Sequence, residues 1–167
     1  MIAATTPVTV EALASSAAID RSFARQVGRR IREAGKLPTR RGNNAAQISA
    51  SQLSMLIVAS ALGPGVKAAV ERALALPPQF FTFVTGLVDH AWSNPNDPYF
   101  EFGTLKIDLS TASAVAIELS DGNKPVSKQF GEPPASNSAS RQASISFAVI
   151  RDVVNTIRSS RVHRVHS

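Results

Sequence analysis

The stretch from Asp20 to Ala34, DRSFARQVGRRIREA, decides how the N-terminal third of this chain is read. Asp20 suits a helix N-cap, because its short carboxylate can accept from the unpaired backbone N–H groups of a first turn. Gly35 stands where a left-handed residue ends a helix, and Pro38 lies just beyond it. At about 100° per residue, Arg21, Arg25, Arg29 and Arg32 fall at roughly 0, 40, 80 and 20°. Ile19, Phe23, Val27 and Ile31 fall at roughly 160, 200, 240 and 280°, on the opposite side. One face is apolar; the other is a ridge of guanidinium groups. Arg30, at about 180°, is the misfit and is expected to reach outward past the apolar stripe. Like charges at three- and four-residue spacing cost a helix about 0.2–0.5 kcal/mol each. An anionic partner accounts for such a ridge better than helix stability does.

The flanking sequence gives the ridge a context. Thr9 can cap a short helix from Val10 to about Ser15, and the small residues Ser15–Ala18 read as a turn. After Gly35, residues 39–48 read as a basic, turn-rich loop or β-ribbon carrying Arg40, Arg41 and Asn43. Ser49 with Gln52 is a capping-box pattern that opens a third helix through Leu62. Its Leu53, Leu56, Ile57, Val58 and Leu62 are apolar nearly all round, which places it in a core or an interface. A short helix, a tight turn and a second helix with a basic face follow the order of a helix-turn-helix, whose second helix enters the major groove.

At this point residues 8–60 resemble the winged-helix DNA-binding domains of prokaryotic regulators and prophage proteins. The resemblance rests on Leu13-Ala14, on Ile19-Asp20, and on Ile31-Arg32-Glu33-Ala34-Gly35-Lys36-Leu37 followed by Arg40-Arg41-Gly42. It implies that Arg40 and Arg41 sit on a wing and reach the DNA backbone or minor groove. The candidate DNA contacts are then Arg21, Ser22, Arg25, Gln26, Arg29, Arg32, Lys36, Arg40, Arg41 and Asn43. A DNA-binding head, central helices and a C-terminal β element also resemble, in architecture alone, the small terminase subunits of tailed phages. That likeness implies a ring that selects DNA for packaging.

The rest of the chain reads as mainly α with a β element. Gly63-Pro64-Gly65 breaks it, Val66–Leu76 reads as an alanine-rich helix, and Gln79–Trp92 as a phenylalanine-rich one. Alternation from Phe100 to Leu109 and again from Ala114 to Leu119 predicts a β-hairpin, with Gly103 slipping the register. Residues 120–142, rich in Ser, Pro, Gly and Asn, are expected to be a flexible linker. Residues 143–160 hold a C-terminal amphipathic helix with Ile150, Val153, Val154 and Ile157 on one stripe, followed by a mobile tail. The expected organisation is a winged helix-turn-helix over 8–62, a helical and β-hairpin oligomerisation region over 66–119, then the linker and the last helix.

Composition narrows the function classes. The 167 residues carry a formal charge of +6, 44% hydrophobic residues and no cysteine. Disulfides and thiolate chemistry are thereby excluded. Residues 1–50 hold 8 Lys/Arg against 3 Asp/Glu, residues 51–119 hold 3 against 6, and residues 120–167 hold 7 against 3. Basic ends around an acidic middle suggest polyanion contacts at the ends and self-association between them. No apolar run approaches the roughly 18–20 residues of a membrane span. The first twenty residues hold no basic cluster, so a secretory signal is not expected and the location reads as cytoplasmic.

His163 and His166 lack a third ligand, Gly63–Lys67 lacks the spacing of a phosphate-binding loop, and no serine pairs with His90. No metal, cofactor or catalysis is expected. Arg151, Arg158, Arg161 and Arg164 are further phosphate-contact candidates, weighed evenly against a solvated helix face. The sequence expectation is a double-stranded DNA-binding protein of phage or bacterial type, acting as a homo-oligomer (dimer or ring), with transcriptional regulation ahead of packaging. A structural or interaction protein with an incidental basic face is the third reading.

Overall fold

The computed structural model describes residues 4–39, 46–119, 125–133 and 141–165. The first described element is a two-residue strand, β1 (Ala4–Thr5), which passes directly into α1 (Thr6–Ser16). This helix begins earlier than Thr9 suggests. Pro7 fits its first turn, where an amide hydrogen is not needed, and Thr9 instead turns its hydroxyl back to donate to Thr5 O at 3.1 Å. A four-residue turn leads to α2 (Arg21–Glu33), then β2 (Gln47–Ile48) and α3 (Ala50–Ala61). The capping box is made: Ser49 Oγ accepts from Gln52 N, and Gln52 Oε1 accepts from Ser49 N at 2.8 Å.

Two more helices follow, α4 (Val66–Ala75) and α5 (Pro78–Ser93); Pro77 holds the preceding Leu76 extended and stops the first, and Pro78 starts the second. A 3-10 turn, Pro98–Glu101, stands where the hairpin's first strand was expected to begin. The Asp97 carboxylate accepts from Tyr99 N at 2.9 Å and holds that turn. The strand proper, β3 (Thr104–Asp108), therefore starts only after Gly103. Gly103 is needed for contact, not for a register slip. A Cβ there would lie 2.0–2.5 Å from the Phe147 ring.

β3 pairs with β4 (Ser113–Leu119) as the expected antiparallel hairpin, from Thr104 opposite Ile117 to Asp108 opposite Ser113. The linker expectation needs correction, because residues 125–130 form β5 (Pro125–Phe130), antiparallel to β4. β6 (Gln142–Ser146) pairs with the other side of β3 and runs straight into α6 (Phe147–Val165). The resulting sheet has the order β5-β4-β3-β6. Five of the six β5 residues are exposed and the strand opens on a proline, as suits an edge.

The fold is α+β, and one buried core joins all of it. Leu105, Ile107, Ala114, Ala116, Phe130 and Ile145 turn one sheet face inward. α5 covers that face at Phe130, whose ring meets Phe80 and Phe83 at 5.5 Å each. Phe80, Phe81 and Phe83 are thus packing residues. α6 packs on α1 and α5 through Ile150, Val153, Val154 and Ile157, all buried. α2 packs on α4 as well as on α1 and α3. The N-terminal helices are consequently built into the same body as the sheet. α3 is consumed by this core: Leu53, Leu56, Ile57, Val58, Ala59 and Leu62 are all buried within the chain itself. Among the described residues no helix is long and apolar enough to cross a membrane.

Candidate nucleic-acid interface

The helix that carries the basic ridge, α2, meets α1 at residues 17–20. Ala17 N donates to Leu13 O at 3.1 Å and closes α1. Ala18 then adopts φ +51, a left-handed conformation that usually falls to glycine in such turns. Asp20 Oδ1 accepts from Phe23 N at 2.8 Å, so it is the N-cap the sequence predicts. At the far end Gly35, at φ +73, ends α2 in a Schellman motif: Lys36 N donates to Ile31 O at 3.1 Å and Gly35 N to Arg32 O at 2.9 Å.

Between these caps, Ala24, Val27, Gly28 and Ile31 are buried, which fixes the rotation of α2. Gly28 lies under Leu56 of α3 and Thr6 of α1. With that face inward, Arg21, Ser22, Arg25, Gln26, Arg29 and Arg30 are exposed. The Arg21, Arg25 and Arg29 side chains are 59%, 65% and 79% exposed, so their guanidinium groups are within reach of a ligand. Gln26 Nε2 donates to Ser22 Oγ at 3.3 Å, so these two polar side chains form a pair beside the arginines. Arg30 does reach outward, to Glu33 at 3.2 Å.

Acidic neighbours hold the ridge in place. Glu11, on α1, contacts Arg21 at 2.6 Å and Arg25 at 3.6 Å. Glu33 accepts from Arg29 at 2.9 Å, and the hydrogen bonds from Arg29 and Arg30 hold its carboxyl below the usual carboxylate range. Arg32 is half-buried and donates to Thr6 Oγ1 at 3.4 Å. Together Arg25, Arg29 and Arg32 face Thr6, Val10 and Glu11 across a cleft of about 310 Å³ between α1 and α2. Sequence reading missed Glu11 and Thr6, since their partners lie ten or more residues away on a different helix.

Lys36 is exposed but faces a separate groove with Met55, Leu74 and Phe81, apart from that cleft. Arg40, Arg41 and Asn43 lie outside the described residues, so the wing expectation does too. What is described on its far side is β2, paired antiparallel with β1 (Ala4 opposite Ile48) at the foot of α1.

No protein family model, curated protein or solved structure matches this chain.

The remaining polar groups are structural in their contacts. Arg151 is largely buried and pairs with Glu101 and with Asp152, the latter at 3.0 Å, which removes it from the phosphate candidates. Arg158 donates to Trp92 O at 3.4 Å. The Tyr99 N–H, and then the His90 Nε2 that lies 2.8 Å from Asp97 Oδ2, hold the Asp97 carboxyl below its usual range. Among the described residues, no three of His, Asp and Glu come together as a metal ion would need.

Proposed function

We propose that the chain binds double-stranded DNA, with α1 and α2 acting as a helix-turn-helix and α2 as the reading helix. The observation that carries this is the exposed row Arg21, Arg25 and Arg29 on the helix that follows a four-residue turn. Its N-terminal half also presents Ser22 and Gln26, the residue types that bond base edges. In this reading Arg21, Ser22, Arg25 and Gln26 face the major groove. α1 crosses the backbone, and Arg29 and Arg32 meet phosphates from the cleft they share with Thr6. Glu11 and Glu33 hold the guanidinium groups extended in the free protein and release them to the DNA on binding. Arg40, Arg41 and Asn43 add wing contacts.

A single reading helix covers one half-site, so the functional unit is a homo-oligomer of this chain. The role that follows is that of a site-specific regulator, binding DNA without altering it. In vitro selection from a random duplex library tests it. The expected outcome is an enriched sequence protected by the protein; a selected pool no tighter than the starting pool contradicts it.

A further inference from the structure

The cleft between α1 and α2 carries a charge imbalance. Arg25, Arg29 and Arg32 line it against the single carboxylate of Glu11, three positive charges to one negative. Glu11 is itself drawn outward: it lies 2.6 Å from Arg21, outside the cleft, and 3.6 Å from Arg25. Arg29 gives Glu33 its Nε at 2.9 Å, and its Nη groups are left to donate. Arg32 decides the matter. It is half-buried, and among the described residues no carboxylate pairs with it, in contrast to Arg21, Arg25, Arg29 and Arg30. Its hydrogen bond goes to a neutral acceptor, Thr6 Oγ1, at 3.4 Å. A guanidinium stripped of part of its water without a counter-charge is costly, and an anion in the cleft removes that cost.

The opposite wall supplies a further donor. The Thr6 methyl group sits 3.5 Å from where a side chain at Gly28 would begin, and its hydroxyl is turned to Arg32. That oxygen accepts from Arg32, so its proton remains to donate to a ligand. Thr6 also opens α1, an 11-residue helix whose N-cap, Thr5, makes no side-chain cap bond. The positive end of the helix dipole therefore adds to the field of the guanidinium groups. Forked N–H donors on one wall and a hydroxyl on the other suit the oxygens of a phosphate. The charge selects further. A DNA phosphodiester carries a single negative charge and leaves the cleft positive, whereas a terminal phosphate carries about −1.5 to −2 at neutral pH and balances it.

We propose that this cleft binds a small molecule carrying a terminal phosphate dianion, and that this ligand competes with DNA. The competition rests on the DNA reading, because Arg25, Arg29 and Arg32 serve both ligands; the phosphate site does not. Methyl phosphate and dimethyl phosphate, a dianion and a monoanion that differ by one methyl group, are titrated into the full, isotopically labelled chain at constant ionic strength and followed by NMR. Methyl phosphate should saturate with a dissociation constant of about 1 mM, at least about tenfold more tightly than dimethyl phosphate. Its shifts should centre on Thr6 and Arg32. Arg32→Gln should weaken methyl phosphate by about tenfold. Arg21→Gln removes the same charge from the same helix outside the cleft, and should change the affinity by less than about twofold. Thr6→Val, which keeps the methyl group beside Gly28, should weaken it by about threefold. Equal affinity for the two probes overturns the proposal, as do equal losses in Arg21→Gln and Arg32→Gln or a failure of methyl phosphate to saturate. At about ten times its dissociation constant, methyl phosphate should lower duplex affinity about tenfold relative to chloride of the same ionic strength. Unchanged duplex affinity there overturns the competition. A chain that takes methyl phosphate as expected but binds no duplex in either salt keeps the phosphate site and contradicts the DNA reading instead.

Discussion

Glu11 Oε2 lies 2.6 Å from Arg21 Nη2, so a carboxylate on the first helix ties down the first arginine of the second. Its other oxygen reaches Arg25 at 3.6 Å. Both partners are well exposed, and an exposed pair of this kind adds little to stability, about 0–1 kcal/mol. Its weight falls on the proposed DNA binding, which would use the same two guanidinium groups.

Glu11→Gln is therefore expected to shift unfolding stability by less than about 0.5 kcal/mol. Duplex affinity at low salt should rise by about two- to fivefold, because two arginines lose a competitor for the DNA. Anisotropy titration alongside urea unfolding reads both. A loss of affinity would place Glu11 among the binding residues instead.

Two glycines give opposite expectations. Gly103→Ala sets a methyl group into the Phe147 ring and should cost about 1–3 kcal/mol or more. Gly86 lies inside α5 with open space around its would-be Cβ, so Gly86→Ala should stabilise by about 0.5–1 kcal/mol. Denaturation midpoints compare them directly.

Asp108 sets a pH dependence. Hydrogen bonds from Ser110 and Thr111, including backbone N–H groups at 2.8 and 3.0 Å, hold its carboxyl at about 2, below the ordinary 3.8 of an aspartate. A folded-state value below the unfolded one adds stability that is fully present above pH 3.8 and is lost as pH falls through about 2. The amount is about 1–2 kcal/mol. Urea unfolding across this range should show the decline, and Asp108→Asn should flatten it. Some slope should remain in that variant, since Glu33 and Asp97 are shifted in the same direction.

What the sequence made legible was local. The rotation of α2 follows from its own apolar spacing, and Asp20, Gly35 and the Ser49–Gln52 box mark ends whose bonds are made within a few residues. β5 was hidden because Pro125–Gln129 are exposed on an edge, which leaves no inward alternation to read. The start of β3 was hidden because Asp97, a side chain outside the alternating run, decides that Phe100 sits in a 3-10 turn. α3, apolar all round, fitted a core or an interface equally well from sequence. Only its packing against α2, α4 and α5 assigns it to the core. The ridge was legible as a charged face, whereas its link to Glu11 needed the turn at Ala18 to bring two helices together.

Base reading and phosphate attraction separate by substitution. Arg25→Ala should cost about 1–3 kcal/mol on a selected duplex and flatten the preference over a scrambled one. Arg40→Ala or Arg41→Ala should weaken both duplexes equally. If Arg25→Ala lowers both by the same factor, α2 is an electrostatic surface and not a reading head.

The most direct measurement of DNA binding itself is the salt dependence of affinity for a duplex. With Arg29, Arg32, Arg40 and Arg41 of each protomer on phosphates, log affinity should fall against log salt with a slope of about −3 to −4 per protomer bound. Arg29→Ala and Arg32→Ala should each make that slope shallower by about one unit. A slope indistinguishable from zero, or no binding at about 50 mM salt, would contradict a DNA-binding role for this chain.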